Sequence, residues 1–278
     1  MEAVLAQRER IRCPVVAGMF YPDEKPETLE YIRAFGLERN KGGYARAIIA
    51  PHGAWGFSGA LVSDAFSAAA GRNGDVSRVI IMGPIHDKRE KGLFLSNSHS
   101  FHTPLGNIPV DEEITEELEF YGNYFEINDI PHLGEHSIEI ILPFVKYCFP
   151  GASIVPILMG QPRAEYISDL AQALKTVITP VLNETLFVVS CNLSSDNDEV
   201  RAKYLARECL RLFSEKDPSA LACAILDGRI NACGGALVAS LFESGLLDGM
   251  YSHFSTENMV SAVGVENNTV FYGAVSFE

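Results

Sequence analysis

Apolar residues fall into two rhythms along this chain. Short unbroken runs bounded by glycine, proline or charge, such as Arg78-Val79-Ile80-Ile81-Met82-Gly83 and Leu186-Phe187-Val188-Val189-Ser190, have the length and branched content of strands buried on both faces. A third run, Ile48-Ile49-Ala50, stops at Pro51, presents His52 and passes through Gly53, Gly56 and Gly59 into an Ala-rich stretch, which reads as strand, sharp turn, helix. Elsewhere apolar residues recur at helical spacing: Leu29, Ile32 and Phe35 behind Pro26, then Leu61, Ala65, Ala68 and Ala69, then an amphipathic segment from Ile167 to Ile178. Two more helical patterns cover about Asn197 to Phe213 and Ser219 to Leu226, and Ala232-Cys233-Gly234-Gly235-Ala236 opens another running to about Gly245. Strands alternating with helices predict an α/β fold, a three-layer sandwich around a central, mostly parallel sheet, with ligands bound beyond the carboxyl ends of the strands.

The remaining stretches are less regular. Cys13 to Pro22 reads as an extended arm packed on the body, and Gly42-Gly43 starts the first central strand. Leu93 to Val110, broken by Pro104, Gly106 and Pro109, reads as a hairpin or loop over one end of the sheet. Asp111 caps a helix whose first turn holds Glu112 and Glu113. Pro131 to Glu139 opens an apolar segment reaching Pro150; as a helix it would put His136 and Glu139 on one face and kink at Pro143. Ala152 to Leu158 is a strand in which Pro156 argues for an end or bulge, and Thr269 to Phe277 alternates as one strand. We expect a single domain over residues 1–278.

Composition narrows the function classes. With 278 residues and 47% hydrophobic content the chain can bury a large core. Met1 to Arg12 lacks the apolar stretch of a signal peptide, and no run approaches a membrane span, so a soluble, cytoplasmic protein is expected, with no membrane partner. A net charge of -14 removes the basic face that nucleic acid requires. Six cysteines without a CxxC pair suit buried, reduced thiols.

Gly83-Pro84-Ile85-His86 repeats the arrangement of the His52 turn, an imidazole just past a strand end, and equivalent places on neighbouring parallel strands are close in space. Two such histidines suit a metal site as well as structural hydrogen bonding. Cys233 adds a third soft donor, its thiolate favoured by the helix that follows; the alternative is an inert buried thiol. His136 with Glu139 reads either as a pair that orients a metal-bound imidazole or as an ion pair at a helix start. The Gly53, Gly56, Gly59 spacing suits tight packing first and anion binding second, and Trp55 reads as pocket wall or core. His99 and His102 sit in the covering stretch and read first as solvated loop side chains.

These residues carry a resemblance to a known family. Pro14 to Pro22 (PVVAGMFYP), Ala50 to Gly59 (APHGAWGFSG), Gly83-Pro84-Ile85-His86, Thr103-Pro104-Leu105-Gly106, His132 to Leu142 (HLGEHSIEIIL), Val189 to Ser195 and Cys233-Gly234 together resemble, in order and spacing, the Memo family, also called protein B of the AmmeMemoRadiSam system. The resemblance spans nearly the whole chain. It implies a fold similar to class III extradiol dioxygenases of the LigB type and an iron or copper ion, with zinc also compatible. The family's metal positions fall on His52, His86 and Cys233. Members usually read Ser-Ser-Asp-x-Ser-His where this chain has Ser190-Cys191-Asn192-Leu193-Ser194-Ser195, so Asn192 stands for an acid and Ser195 for an imidazole. An amide is no anionic ligand and a hydroxyl no proton shuttle at neutral pH, so ring-cleaving dioxygenase activity is not expected, and His136 and Cys191 are the groups left to take over the proton. The resemblance leaves two further readings open: a non-catalytic module taking a small molecule, peptide or protein in the same cleft, and a metal-free thiol enzyme using Cys233 with a histidine base.

Overall fold

The order of strands in the sheet, which differs from their order in the chain, decides what meets at the site. The computed structural model describes residues 9–38, 42–254, 259–263 and 268–278. Strand β1 (Ile11–Arg12) leads through a turned arm to α1 (Lys25–Ala34), which has Pro26 in its first turn and Gly36 just past its end at φ 85°. Next come β2 (Ala47–Ala50), α2 (Trp55–Ser67), β3 (Arg78–Pro84), β4 (Leu93–Leu95), β5 (Ser100–Phe101) and β6 (Ile108–Pro109). Helix α3 (Glu112–Tyr121), capped by the Asp111 side chain, precedes β7 (Phe125–Ile127), α4 (Ile130–Gly134), α5 (Leu142–Cys148), β8 (Ser153–Met159) and α6 (Ala164–Ile178). Then β9 (Thr185–Ser190) and β10 (Ser194–Asp196) introduce α7 (Glu199–Glu215), α8 (Pro218–Leu226) and α9 (Gly235–Glu243). The chain closes with β11 (Ser252–His253), β12 (Val260–Val263), β13 (Thr269–Tyr272) and β14 (Val275–Phe277).

The main sheet has the order β11-β14-β2-β9-β3-β8-β4-β7. Its four central strands, β2, β9, β3 and β8, are parallel, and β14 and β4 flank them antiparallel. Ile48, Ala50, Val79, Ile81, Leu186 and Val188 pack on one face with Trp55, Phe66 and Phe144 of α2 and α5. Ala47, Ile49, Ile80, Met82, Phe187 and Val189 pack on the other with side chains of α6, α7 and α9. Helices on both faces make the sandwich three-layered and explain why the strands read as continuous apolar runs; each large side chain so buried contributes about 1.5–3 kcal/mol.

Several expectations give way. β2 and β3 are not neighbours, because β9 inserts between them, so the two strand-end histidines stand on either side of the β9 end. Leu93 to Val110 is not wholly a cover: Leu93–Leu95 joins the main sheet, and only β5 and β6 form a separate small sheet with β1. Thr269 to Phe277 is two strands in two sheets, broken at Gly273, where a Cβ would lie 2.6 Å from Leu193 Cδ1. Pro143 starts α5 in its first turn instead of kinking a longer helix. Pro156 sits mid-strand, and the register explains it. Asp111 N donates to Ile154 O, so the polar atoms of Ile154, and two residues on those of Pro156, face away from β3. On that side β4 pairs only with Ile157 to Met159, and no ladder bond to β3 is lost. No helix among the described residues is long and apolar enough to cross a membrane.

Candidate functional site

At the carboxyl ends of β2, β9 and β3 lies a cavity of about 700 Å³ lined by His52, His86, His136, Asn192, Ser195 and Cys233 together with apolar side chains. Each arrives from a different element. His52 follows β2, His86 follows β3, Asn192 follows β9, His136 lies between α4 and α5, and Cys233 lies just before α9. His52 Nε2 is 3.4 Å from Cys233 Sγ, and the His52 and His86 ring centroids are 5.2 Å apart. The His136 ring stacks on His86 at 4.9 Å and receives the edge of Phe20 at 5.3 Å. All six cysteines are free, and Cys191 is fully buried.

Hydrogen bonds fix the state of both strand-end imidazoles. Ser190 Oγ donates its single proton to Ser137 O at 2.6 Å, so in its 2.6 Å contact with His52 it accepts from Nδ1–H. Glu135 takes His86 Nδ1 at 3.0 and 3.1 Å, and a carboxylate there can only accept. Both rings therefore carry a proton on Nδ1, which leaves Nε2 as the nitrogen with a lone pair whenever the ring is neutral. Glu135 also accepts from the backbone N–H groups of His86, His136 and Ser137.

The electrostatics follow. Burial alone would raise the Glu135 carboxyl, yet the hydrogen bond and charge of His86 and the backbone donors hold it down at about 2. Burial pulls against protonation of His86, and Glu135 outweighs it, so His86 is raised. His136 is lowered to about 4 by burial, with Glu135 opposing and the other two imidazoles adding. Cys233 is held well below the ordinary thiol range by its hydrogen bond with Cys191, against its burial, and by His52 and the Asn192 N–H at 3.1 Å. Burial pushes the Cys191 thiol up.

Other candidate residues lie elsewhere. Glu139 does not face the cavity. The segment is extended at Glu135 (φ -89°, ψ 135°), so Pro131 to Glu139 is not one continuous helix, and only a short turn closed by Ile140 N on His136 O at 3.2 Å spans His136 and Glu139. Glu139 instead pairs with buried Arg12 and accepts from Val15 N, Val16 N and the Tyr21 hydroxyl. It ties down the N-terminal arm. Trp55 is core: its indole donates to Ile140 O at 3.1 Å, and its ring packs on Tyr21 and Phe144. Cys191 lies under the cavity, not on its wall. Gly53 and Gly59 serve close packing, since a Cβ would meet Tyr272 at 2.8 Å and Phe35 at 2.4 Å; Gly56 meets nothing. His99 bonds to Arg10 and His102 to Asn107, both away from the cavity. Glu135 and Ser190 are the groups that sequence reasoning missed. Glu135, directly before His136, carried a signal that a helical reading of the segment hides.

A family model described as Memo-like protein matches residues 12–256. A MEMO1 family protein of Thermotoga neapolitana is 33% identical over 250 residues, 84% of this chain and 88% of that protein. One from Methanobrevibacter smithii is 31% identical over 236 residues, 81% and 83% of the two chains. Another from Nitrosopumilus maritimus is 28% identical over 281 residues, 96% and 99% of the two chains. The crystal structure of an uncharacterized protein from Escherichia coli K12 superposes with a TM-score of 0.53 over 84% of this chain and 99% of its own, at 9% identity, a likeness of fold alone.

Proposed function

The chain belongs to the Memo-like protein family, and from that premise we propose that it is a metal-binding protein whose ion is held by His52 Nε2, His86 Nε2 and Cys233 Sγ. One observation supports the reading: Ser190 and Glu135 hold both imidazoles by Nδ1–H, so that Nε2 is the nitrogen left to bind a metal once the ring is neutral, the arrangement by which proteins prepare histidine ligands. The thiolate-favouring surroundings of Cys233, 3.4 Å from His52, complete the donor set. Two imidazoles and a thiolate shift preference toward softer ions such as Cu(I) and still accept Fe(II) or Zn(II); the family resemblance points to iron or copper. Such an ion would supply redox or Lewis-acid chemistry at the cavity floor.

The chain's own residues do the rest. Glu135 and Ser190 orient the imidazoles, the apolar wall excludes water, and His136, neutral near pH 7, offers a proton acceptor. Asn192 and Ser195 supply neither charge nor a proton shuttle, so catechol ring cleavage is expected to be absent. A second donor set, His86, Glu135 and His136, has its ligand atoms within 4.8 Å of one another. We favour the first, because the Glu135 oxygens are already committed to His86 Nδ1 and three backbone N–H groups.

Anaerobic purification followed by elemental analysis tests the proposal. One equivalent of iron or copper in the wild type, lost in His52→Ala, His86→Ala and Cys233→Ala, supports it. Metal retained by all three variants, or none taken up by the wild type under reducing conditions, refutes it.

A further inference from the structure

Among the described residues, all but one of the polar groups of Asn192 have partners. Its backbone N–H donates to Cys233 Sγ at 3.1 Å, and its carbonyl, 3.3 Å from Cys191 Sγ, shares the Cys191 thiol proton with Cys233. Its side-chain oxygen accepts the His52 backbone N–H at 3.0 Å. Since a backbone N–H can only donate, the amide orientation is settled by chemistry, and the group left is Nδ2 with its two protons. Asn192 lines the cavity between His52 and Cys233. With an aspartate in its place, one oxygen would still cap His52 N–H and the other would offer an acceptor and a negative charge. A single atom thus sets the polarity of this contact.

The rest of the wall restricts charge. Phe20, Phe57, Val270 and Tyr272 make a largely apolar surround, and no Lys, Arg, Asp or Glu is among the described lining residues. Away from the His52, His86 and Cys233 floor, an anion would find no cationic side chain among the described lining residues, and a cation no carboxylate. The volume suits a small molecule.

We propose that Asn192 is a specificity-determining residue, and that the cavity takes an uncharged small molecule presenting a proton-free oxygen, of the ketone type, to Asn192 Nδ2 while its apolar body packs against Phe20 and Tyr272. The inference rests on reading this cavity as the ligand site and not on which metal is bound. Affinities of the protein as purified are measured by calorimetry or ligand-observed NMR for three probes: acetophenone, 1-phenylethylammonium and 4-acetylbenzenesulfonate. The wild type is expected to bind acetophenone best. Asn192→Asp is expected to weaken acetophenone about tenfold and strengthen the ammonium probe, reversing their order. Asn192→Ala, which adds no charge, is expected to weaken acetophenone without that gain and serves if the aspartate variant does not fold. Unchanged acetophenone affinity in the variants, no saturable acetophenone binding by the wild type, or tighter binding of the sulfonate overturns the proposal. Elemental analysis of the same samples separates the two claims: reversal without metal defeats only the metal reading, and metal without reversal defeats only this one.

Discussion

Two glutamates four residues apart, Glu135 and Glu139, are both buried, both accept several hydrogen bonds, and work for different parts of the molecule. Glu135 turns toward the end of β3, where it anchors His86 and the backbone beneath His136. Glu139 turns toward the N-terminal arm, where it neutralises Arg12 and takes the N–H groups of Val15 and Val16. That arm delivers Phe20 to the cavity wall, and Phe20 O accepts from Trp55 N at 2.8 Å, so the architectural glutamate reaches the site only through packing. Burial and hydrogen-bond count do not separate function from architecture here. What separates them is whether the partner is an imidazole facing the cavity.

The largest effect is expected on the architectural side. Glu139→Ala leaves the buried Arg12 guanidinium without its counter-ion and two arm N–H groups without their acceptor and should cost about 3–5 kcal/mol in urea unfolding. A loss below about 1 kcal/mol would mean that the arm is held by something else. Next comes His132, whose backbone carbonyl accepts from Arg12 Nε and whose ring, fully buried against Phe94 O, is lowered to about 4. The folded state resists a proton that the unfolded chain takes up near pH 6.5. Stability should therefore be complete above that pH and fall by about 3 kcal/mol as pH drops toward 4. His132→Asn should flatten that slope. The smaller effect belongs to Glu135→Gln, which sets an amide NH2 among donors and loosens His86. Metal affinity should drop about 10–100-fold while unfolding changes less than for Glu139→Ala. Equal metal affinity in the two variants would erase the contrast.

Much of this was legible in the chain. The strand runs and the helical spacings mark the three layers, and His52, His86 and Cys233 do line one cavity. Topology was not. Nothing local in Thr185–Ser190 says that it inserts between β2 and β3, because strand order is settled by how the helices cover the sheet. Glu135 was obscured for a different reason: helical spacing pairs residue 136 with 139, and only the extended backbone at 135 turns the earlier carboxylate inward. At the break between β13 and β14, Gly273 lies so close to Leu193 that a Cβ would be 2.6 Å from it, an approach between residues 80 apart in sequence that no window of the chain contains.

X-ray absorption at the edge of the bound metal tests the central claim most directly, because the two donor sets differ in sulfur. The account predicts a sulfur scatterer at about 2.3 Å with nitrogen neighbours near 2.0 Å, the sulfur shell vanishing in Cys233→Ser. A shell of nitrogen and oxygen alone in the wild type, lost in Glu135→Gln and unchanged in Cys233→Ser, would contradict it and move the ion to His86, Glu135 and His136.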